Sequence, residues 1–346
     1  MLKDFNCELL KTLWYRFIRF YVQIGLFFYT KKIRTVGVRN IPKKGAVLFA
    51  VNHPNGLLDP LVVTTRTPRI THYLVRAASF KNPLIKKLLA SLNLMPIYRI
   101  RDGLQQVSKN ASVFDQCYEI LNKQHALMIF PEGSHDSRRT VRPISKGFTR
   151  ILFGALDKYP DLKINVIPVG ITYQNPSHFP SKAAVHFGEP ILANELYDHE
   201  NLNVSINQLK EQVATQLKQL SVHIDADENY TSELEKLNKN YIDFTKVTEV
   251  NNAIIEKTSI EKTKKTNLVK PLYYLLLINS IIPWFIWKKV SQKIDELEFV
   301  DTFRFALGIT LFPIFYMIQA GILYSFFDLN LALYYLIASL VITAVY

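Results

Sequence analysis

Four short apolar runs alternate with helical patterns along the first half of the chain. Each run has the length of a buried strand and is bounded by turn residues. The runs lie at 43–52, 70–75, 126–130 and 164–169, and the helical patterns at 84–92, 105–122 and 147–158. Strands that alternate with helices predict an α/β domain, a mostly parallel sheet with flanking helices, which we place at 33–220.

The carboxy-terminal region, 271–346, is far more apolar than the rest of the chain. It holds three stretches without charge, at 271–287, 305–327 and 329–346. A helix of about 20 apolar residues crosses a bilayer. The first stretch has only 17 residues and predicts a kinked or re-entrant element, whereas the other two predict transmembrane helices. Buried core helices are the alternative, which three such stretches in one region disfavour.

Residues 1–32 hold an aromatic, apolar helical pattern that Arg16 and Arg19 interrupt. Because arginines can extend to lipid headgroups while the rings stay at the interface, we predict an interfacial amphipathic helix rather than a span. A helix packed on the domain is the alternative. Residues 221–270 are rich in charged and amide side chains and predict a charged helix and linker.

The formal net charge of +13 is compatible with nucleic acid, anionic lipid or a phosphorylated substrate as a partner. Nine basic residues and a single acid lie between Arg66 and Lys109, among apolar side chains. This distribution favours a membrane surface or a phosphate pocket, and we predict no nucleic-acid partner. Cys7 and Cys117 lack the spacing of a disulfide framework or a zinc site, and we predict no metal.

A histidine and an aspartate, His53 and Asp59, follow the first predicted strand. Between them, Pro54, Asn55 and Gly56 favour a turn that folds the carboxylate back toward the imidazole. A carboxylate on one ring nitrogen leaves the other able to take a proton, so a substrate hydroxyl can react without a serine or cysteine nucleophile. Taken alone the pair is weak, because a loop histidine beside an aspartate at a helix start has the same pattern.

Other polar residues follow other predicted strands and should reach the same edge of the sheet. Glu132 and Gly133 follow the third run. The glutamate could bind a substrate hydroxyl, and the glycine lets a backbone approach closely. Arg99, Arg142 and Lys146 add positive charges, and arginine is suited to bidentate phosphate binding.

These residues form four blocks that resemble, in order, those of the glycerolipid acyltransferases that make lysophosphatidic and phosphatidic acid. The blocks are His53 with Asp59, Arg99, Phe130-Pro131-Glu132-Gly133 and Val166-Ile167-Pro168. The chain has one more residue between histidine and aspartate than the family's commoner pattern, and in this it resembles a fungal and bacterial subset. The third block continues Ser134-His135-Asp136, which resembles the glycerol-3-phosphate branch and leaves the acceptor open.

The resemblance implies that His53 and Asp59 are catalytic, and that Asn55, Arg99, Glu132, Gly133, Arg142 and Lys146 bind substrate. It implies transfer of a fatty acyl group from acyl-CoA or acyl-carrier protein, as co-substrate, with no cofactor and no covalent acyl-enzyme. The expected acceptor is 1-acylglycerol-3-phosphate, which gives phosphatidate in phospholipid synthesis. Glycerol-3-phosphate and dihydroxyacetone phosphate are alternative acceptors, and a non-catalytic lipid-binding protein on the same fold is the alternative from another class.

Lysines flank the first uncharged stretch on both sides. They are Lys264, Lys265 and Lys270 before it, and Lys288, Lys289 and Lys293 after it. Basic residues at both ends favour an element that enters and leaves on the cytoplasmic side. We therefore predict a cell-membrane protein, multi-pass or hairpin-anchored, with a cytoplasmic catalytic domain. Membrane lipids join the thioester and the glycerol phosphate as expected partners.

Overall fold

The computed structural model describes residues 2–99, 104–176, 178–258, 270–296 and 299–345. Its strands are β1 (Thr30–Val36), β2 (Ala46–Val51), β3 (Thr71–Arg76), β4 (Leu94–Ile97), β5 (Ala126–Ile129), β6 (Ile164–Tyr173), β7 (Ser181–Phe187) and β8 (Ile191–Leu192). Its helices up to the sheet's last strand are α1 (Leu2–Tyr29), α2 (Leu58–Arg66), α3 (Pro83–Ser91), α4 (Leu104–Val107), α5 (Asn110–Asn122) and α6 (Gly147–Lys158). The later helices are α7 (Ala193–Leu196), α8 (Leu202–Leu220), α9 (Tyr230–Lys239), α10 (Val247–Glu256), α11 (Lys270–Asn279), α12 (Ile281–Ser291), α13 (Val300–Phe326) and α14 (Leu329–Val345).

Within the described residues the eight strands form one sheet, in the order β1-β7-β6-β2-β5-β3-β4, with β8 beside β6. Neighbours pair in parallel except at β6–β7 and β6–β8, which are antiparallel. All six residues of β2, between β5 and β6, are buried. Parallel strands covered on both faces have continuous apolar sequences, and this is why the four apolar runs could be recognised in the sequence. The predicted α/β fold, a mostly parallel sheet with flanking helices, is confirmed.

The side chains of β2 alternate between two apolar cores, one on each face of the sheet. Leu48 packs in the core that contains residues of α5, α6 and α8. Phe49 packs in the opposite core, with residues of α1 and α2. This alternation follows from the two-residue repeat of a strand. Helices therefore cover both faces, and the loops at the carboxyl ends of the strands are left to carry a site.

Helix α1 buries one side and exposes the other. Tyr15, Val22 and Leu26 are buried. The exposed side includes the large apolar residues Leu10, Leu13, Phe17, Phe20 and Phe27. Gly25 lies against α13, because a Cβ at this position would stand 2.4 Å from Ile309. Helix α1 is thus packed on the rest of the protein, which was the alternative to an interfacial helix, and it keeps an exposed apolar side. The interfacial position stays a prediction.

Residues 221–258 differ from the charged helix and linker expected of them. They contain α9 and α10, which close a third apolar core over β7. The buried members of this core are Ala184, Val222, Ile224, Leu237, Ile242, Phe244, Val247 and Val250. Its few apolar residues stand three or four positions apart within each helix, so they share one side despite the charged residues between them. The rest of the predicted linker, 259–269 with Lys264 and Lys265, lies outside the described residues.

The carboxy-terminal region is helical where it is described. The first uncharged stretch is divided at Ser280 into α11 and α12, as a kinked element would be. Helix α13, with 27 residues, is long and apolar enough to cross a membrane. Helix α14 is also apolar but has 17 residues. Length and composition thus support one crossing helix, and the further crossings remain a prediction.

Candidate active site

Three neighbouring strands bring polar residues to one edge of the sheet. Strand β2 pairs in parallel with β5 on one side and with β6 on the other. The carboxyl ends of all three strands therefore lie together. His53 follows β2, Glu132 follows β5, and β6 ends at Tyr173. In sheets of this type, ligands bind beyond the carboxyl ends of the strands, so this edge is the candidate site.

His53 and Asp59 are hydrogen-bonded to each other, with Nδ1 of the imidazole 2.7 Å from Oδ2 of the carboxylate. Asp59 lies in the first turn of α2 and is fully buried. The same carboxylate accepts the backbone N–H of Asn55 at 2.7 Å and the hydroxyl of Tyr173 at 2.8 Å. A carboxylate at Nδ1 favours the tautomer with its proton there, which leaves Nε2 able to accept a proton.

The imidazole of His53 is held on several sides and remains partly accessible. Its ring stacks on Phe130, with centroids 4.0 Å apart and planes at 21°. The edge of the His135 ring lies 5.6 Å away, centroid to centroid. The backbone carbonyl of His53 accepts the N–H of Asp136 at 3.0 Å. Since 14% of the His53 side chain is exposed, a substrate can approach a ring that is already fixed in place.

Burial makes charge unfavourable on both members of the pair. It lowers the pKa of His53 to about 3, an effect that Glu132 opposes and that Arg142 and Arg99 reinforce. Burial also raises the pKa of Asp59 well above its usual range, against the hydrogen bonds from Asn55 and Tyr173. The imidazole is consequently neutral near pH 7, which is the form that a general base requires.

Glu132 forms a buried ion pair with Arg142. Its Oε2 accepts from Nη2 and Nε of the guanidinium at 2.7 and 3.1 Å, and the glutamate side chain is 3% exposed. Nη1 of the arginine also donates to the hydroxyl of Ser134 at 2.6 Å. Both guanidinium bonds reach Oε2, whereas among the described residues Oε1 accepts only the backbone N–H of Arg142 at 3.3 Å, so the role of Glu132 in binding a substrate hydroxyl stays a prediction. The glutamate also fixes Arg142, whose side chain stays 21% exposed.

The remaining predicted binding residues lie around this core. Gly133 has a φ of +78°, a backbone conformation that glycine adopts without strain. Arg99 follows β4, and its charge adds to burial in lowering the pKa of His53, so it stands within electrostatic reach. Lys146 is exposed just before α6. In the described ranges no group of three or more His, Cys, Asp or Glu could hold a metal ion.

Asn55 is placed differently from its predicted role in substrate binding. The side chain is fully buried, because the turn after His53 folds it inward. Its amide nitrogen donates to Oδ2 of Asp301 at 3.0 Å. A group with no access to solvent cannot contact a substrate without rearrangement, so Asn55 shapes the loop between His53 and Asp59.

Sequence reasoning missed two residues that contact this loop or its pair. Tyr173, which donates to Asp59, ends the strand that holds Pro168 of the fourth block. Its position at a strand end beside the other blocks was a usable signal. Asp301, which accepts from Asn55, lies 246 positions further along the chain. No local sequence pattern indicates that Asp301, at the start of an apolar helix, contacts the loop between His53 and Asp59.

Residues 32–172 match the family model described as Acyltransferase. This part of the chain, which includes every predicted site residue, is therefore a domain of the Acyltransferase family. The resemblance found in the sequence is confirmed at the level of the family.

Individual relatives and one solved structure also match parts of the chain. Glycerol-3-phosphate O-acyltransferase 1 of Saccharomyces cerevisiae is 29% identical over 115 residues, 32% of this chain and 15% of that protein. The probable 1-acyl-sn-glycerol-3-phosphate acyltransferase of Mycoplasma pneumoniae is 28% identical over 148 residues, 40% of this chain and 52% of that protein. The chain thus spans about half or less of these relatives. The crystal structure of the 1-acyl-sn-glycerophosphate acyltransferase PlsC from Thermotoga maritima aligns with a TM-score of 0.45 at 17% identity, over 61% of this chain and 82% of that chain.

The protonation of His53 can be tested without any substrate. Because burial lowers the pKa of His53 to about 3, its ring should stay neutral as the pH falls from 8 to 5, whereas a solvent-exposed imidazole gains its proton near pH ~6.5. NMR spectra of the ring nitrogens, recorded on protein labelled with ¹⁵N-histidine, would follow the protonation of His53. The His53→Gln variant would assign its signal. A His53 signal that titrates between pH 6 and 7 would contradict the burial argument.

Proposed function

We propose that the chain is an O-acyltransferase that moves a fatty acyl group from an acyl thioester to a hydroxyl of a glycerol phosphate. The observation that carries the proposal is the 2.7 Å contact between His53 and Asp59 at the edge of the sheet. The family of residues 32–172 and the names of the relatives support it. A non-catalytic lipid-binding protein would not need a neutral imidazole that is oriented by a buried carboxylate.

In this mechanism His53 acts as a general base through Nε2. It removes the proton from the acceptor hydroxyl while the oxygen attacks the thioester carbonyl, and a tetrahedral intermediate forms. The intermediate collapses by breaking the carbon–sulfur bond, and the imidazolium returns the proton to the leaving thiolate. Asp59 keeps its hydrogen bond to Nδ1 throughout, which stabilises the imidazolium while it exists. The acceptor supplies the nucleophile, so no acyl-enzyme and no cofactor are required.

The cations beside the pair supply binding for the phosphate. Arg142 is oriented by Glu132 and Ser134 and keeps part of its side chain exposed. A guanidinium fixed in this way loses little further freedom when it binds an anion. Arg99 contributes a second positive charge within reach of His53, and Lys146 is a third candidate on the surface. We assign the phosphate of the acceptor to this group.

The acceptor we propose is 1-acylglycerol-3-phosphate, which would give phosphatidate. Glycerol-3-phosphate and dihydroxyacetone phosphate are the other candidates, and the names of the relatives include both a first and a second acylation. A lipid acceptor is favoured by the apolar residues exposed on α1 and α3, which include Phe17, Phe20 and Leu84. Acyl-CoA and acyl-carrier protein are the two candidate donors.

We also propose that the protein is held in the cell membrane with its catalytic domain in the cytoplasm. Support comes from α13, which is long enough to cross a bilayer, and from the adjoining apolar helix α14. Exposed apolar side chains of α1 would lie at the surface of the same membrane.

Removal of the proposed base should abolish the reaction. We expect His53→Gln to lower kcat at least ~100-fold, the usual scale for loss of general-base catalysis. Asp59→Asn should also lower it, because the amide no longer stabilises the imidazolium. His125→Ala changes an exposed histidine that precedes β5, at the opposite edge of the sheet, and should leave the rate unchanged. Near-full activity of purified His53→Gln protein would refute the mechanism.

An acceptor panel decides the substrate. Purified protein with labelled acyl-CoA or acyl-carrier protein would be offered 1-acylglycerol-3-phosphate, glycerol-3-phosphate and dihydroxyacetone phosphate, and product would be measured by chromatography. We expect the highest kcat/KM with 1-acylglycerol-3-phosphate. A preference for either of the two small phosphates would assign the first acylation instead. No transfer to any acceptor, from a protein that still binds lipid vesicles, would favour the non-catalytic alternative.

Membrane placement can be tested from both sides. Protease added to sealed inside-out vesicles should cut within residues 33–220, because the domain would face outward in such vesicles. If α13 crosses the membrane, Asp328, at its carboxyl end, lies on the other side. Asp328→Cys in a Cys7→Ser background should then react with an impermeant maleimide in intact cells and not in inside-out vesicles. The reverse labelling pattern would show that α13 does not cross.

A further inference from the structure

Asp301 is a buried carboxylate at the start of the long apolar helix. It is the second residue of α13 and is 3% exposed. Oδ1 accepts the hydroxyl of Tyr29 at 2.7 Å and Nη1 of Arg304 at 2.9 Å. A carboxylate is costly to bury unless its charge is balanced and its oxygens are hydrogen-bonded. Arg304 supplies the balancing charge, and the helix N-terminus favours an anion at this position.

The other oxygen of Asp301 reaches the loop between the two proposed catalytic residues. Oδ2 accepts the side-chain amide of Asn55 at 3.0 Å, and the backbone N–H of the same Asn55 donates to Asp59 at 2.7 Å. One residue therefore joins Asp301 to the carboxylate that orients His53. The next residue of α13, Thr302, accepts the backbone N–H of Leu57 at 3.0 Å, so the helix start holds this loop at two points.

The same segment of chain also contacts the second polar loop, the one after β5. Oε2 of Glu296 lies 3.2 Å from Nε2 of His135. The ring of Phe299 meets His135 edge-on, with centroids 5.0 Å apart. His135 in turn lies against His53. The residues around the start of α13 thus touch both loops that form the candidate site.

We propose that Asp301 is a positioning residue for the His53–Asp59 pair, and that the docked apolar helix is part of the catalytic arrangement as well as an anchor. The inference rests on the proposed acyl transfer. The loop depends on such side-chain contacts, because the backbone N–H groups of Asn55 and Leu57 bond to the side chains of Asp59 and Thr302. Without Asp301 the amide of Asn55 would lose its acceptor, and the loop would hold Asp59 less firmly against the imidazole.

Kinetics of single variants in the full-length protein would test this. We expect Asp301→Ala to lower kcat ~10-fold or more, because small displacements of a catalytic group have effects of this size, with the KM of the acceptor nearly unchanged. Asp301→Asn, which keeps one oxygen for Asn55, should recover part of the rate. Asp328→Ala removes an exposed acid at the far end of α13 and should have no effect on kcat.

Tyr29→Phe separates positioning from helix docking. It removes a buried hydrogen bond to the same carboxylate but leaves the bond to Asn55. We expect it to lower the midpoint of thermal unfolding, as Asp301→Ala does, while kcat stays within about twofold of wild type. Equal losses of kcat in Tyr29→Phe and Asp301→Ala would overturn the proposal, because Asp301 would then act only by holding the helix.

A double-mutant cycle tests the route through Asn55. If Asp301 acts through that amide, Asp301→Ala should add little to the loss of kcat already caused by Asn55→Ala. If the loss of kcat in the double variant equals the product of the two single losses, the two side chains act independently and the proposal fails. Should Asp301→Ala not fold, Asn55→Ala decides the matter, because it breaks the same bond and leaves Asp301 its bonds to Tyr29 and Arg304. Reduced kcat with a nearly unchanged KM of the acceptor supports the proposal, and wild-type kcat overturns it.

The ¹⁵N-histidine spectrum makes the inference separable from the proposed function. In wild type, His53 should show one tautomer, with its proton on Nδ1, and in Asp301→Ala a mixture of tautomers. This shift in a protein without acyltransferase activity would support the positioning role while refuting the function. An active wild type whose His53 signal is unchanged by Asp301→Ala would refute the positioning role alone.

Discussion

The pairing of β2 with a parallel strand on each side is the constraint on which the rest of the molecule depends. Hydrogen bonds to β5 and β6 leave neither edge of β2 open, and its residues are buried on both faces. Two apolar cores and two layers of helices follow, since each face of such a strand has to be covered. The loop that begins at Asn52 thus starts from the centre of the sheet, where β2 is bonded on both sides, and this fixes the position of His53.

Buried carboxylates then determine how the loops at this edge are arranged. Asp59 accepts hydrogen bonds from its own loop and from β6. Glu132 accepts from the guanidinium of Arg142. Asp301 accepts from α1 and from the loop after β2. A carboxyl group buried away from water must be satisfied by fixed hydrogen-bond partners, and the loss of one partner is costly. The geometry of the candidate site is therefore overdetermined, with segments far apart in the chain committed to the same few oxygens.

Local patterns predicted the elements that are defined by their own sequence. Helix α6 begins at Gly147 and ends at Lys158, as its periodicity indicates, and the four apolar runs are strands of the sheet. Strand β6 continues past its predicted end at 169 because its last residues pair with β7, a contact that hydropathy does not register. The core of 221–258 was missed because Leu237 and Phe244 are outnumbered by charged neighbours, so average composition concealed the one-sided spacing.

The sequence predicted those residues of the candidate site that directly follow strands, because the carboxyl ends of parallel strands lie together. His53, Asp59 and Arg142 could be named because each follows an apolar run, and parallel pairing brings such positions together. The bond from Asn55 to Asp301 could not be foreseen, since nothing in a single sequence relates residues 246 positions apart. Whether a polar side chain faces a substrate or the interior is likewise decided by packing, and the sequence alone therefore did not show that Asn55 is fully buried.

The packing of α1 on α13 bears on how this protein can be handled in the laboratory. Chains with apolar terminal helices are commonly shortened to a single domain before crystallisation, and the family match over residues 32–172 invites such a cut. Here a fragment ending at 258 would uncover Gly25 and Tyr29, and would leave the buried amide of Asn55 facing the space that Asp301 had filled. A fragment of that kind is a poor stand-in for the native site, and the apolar helices belong in any sample meant to report on it.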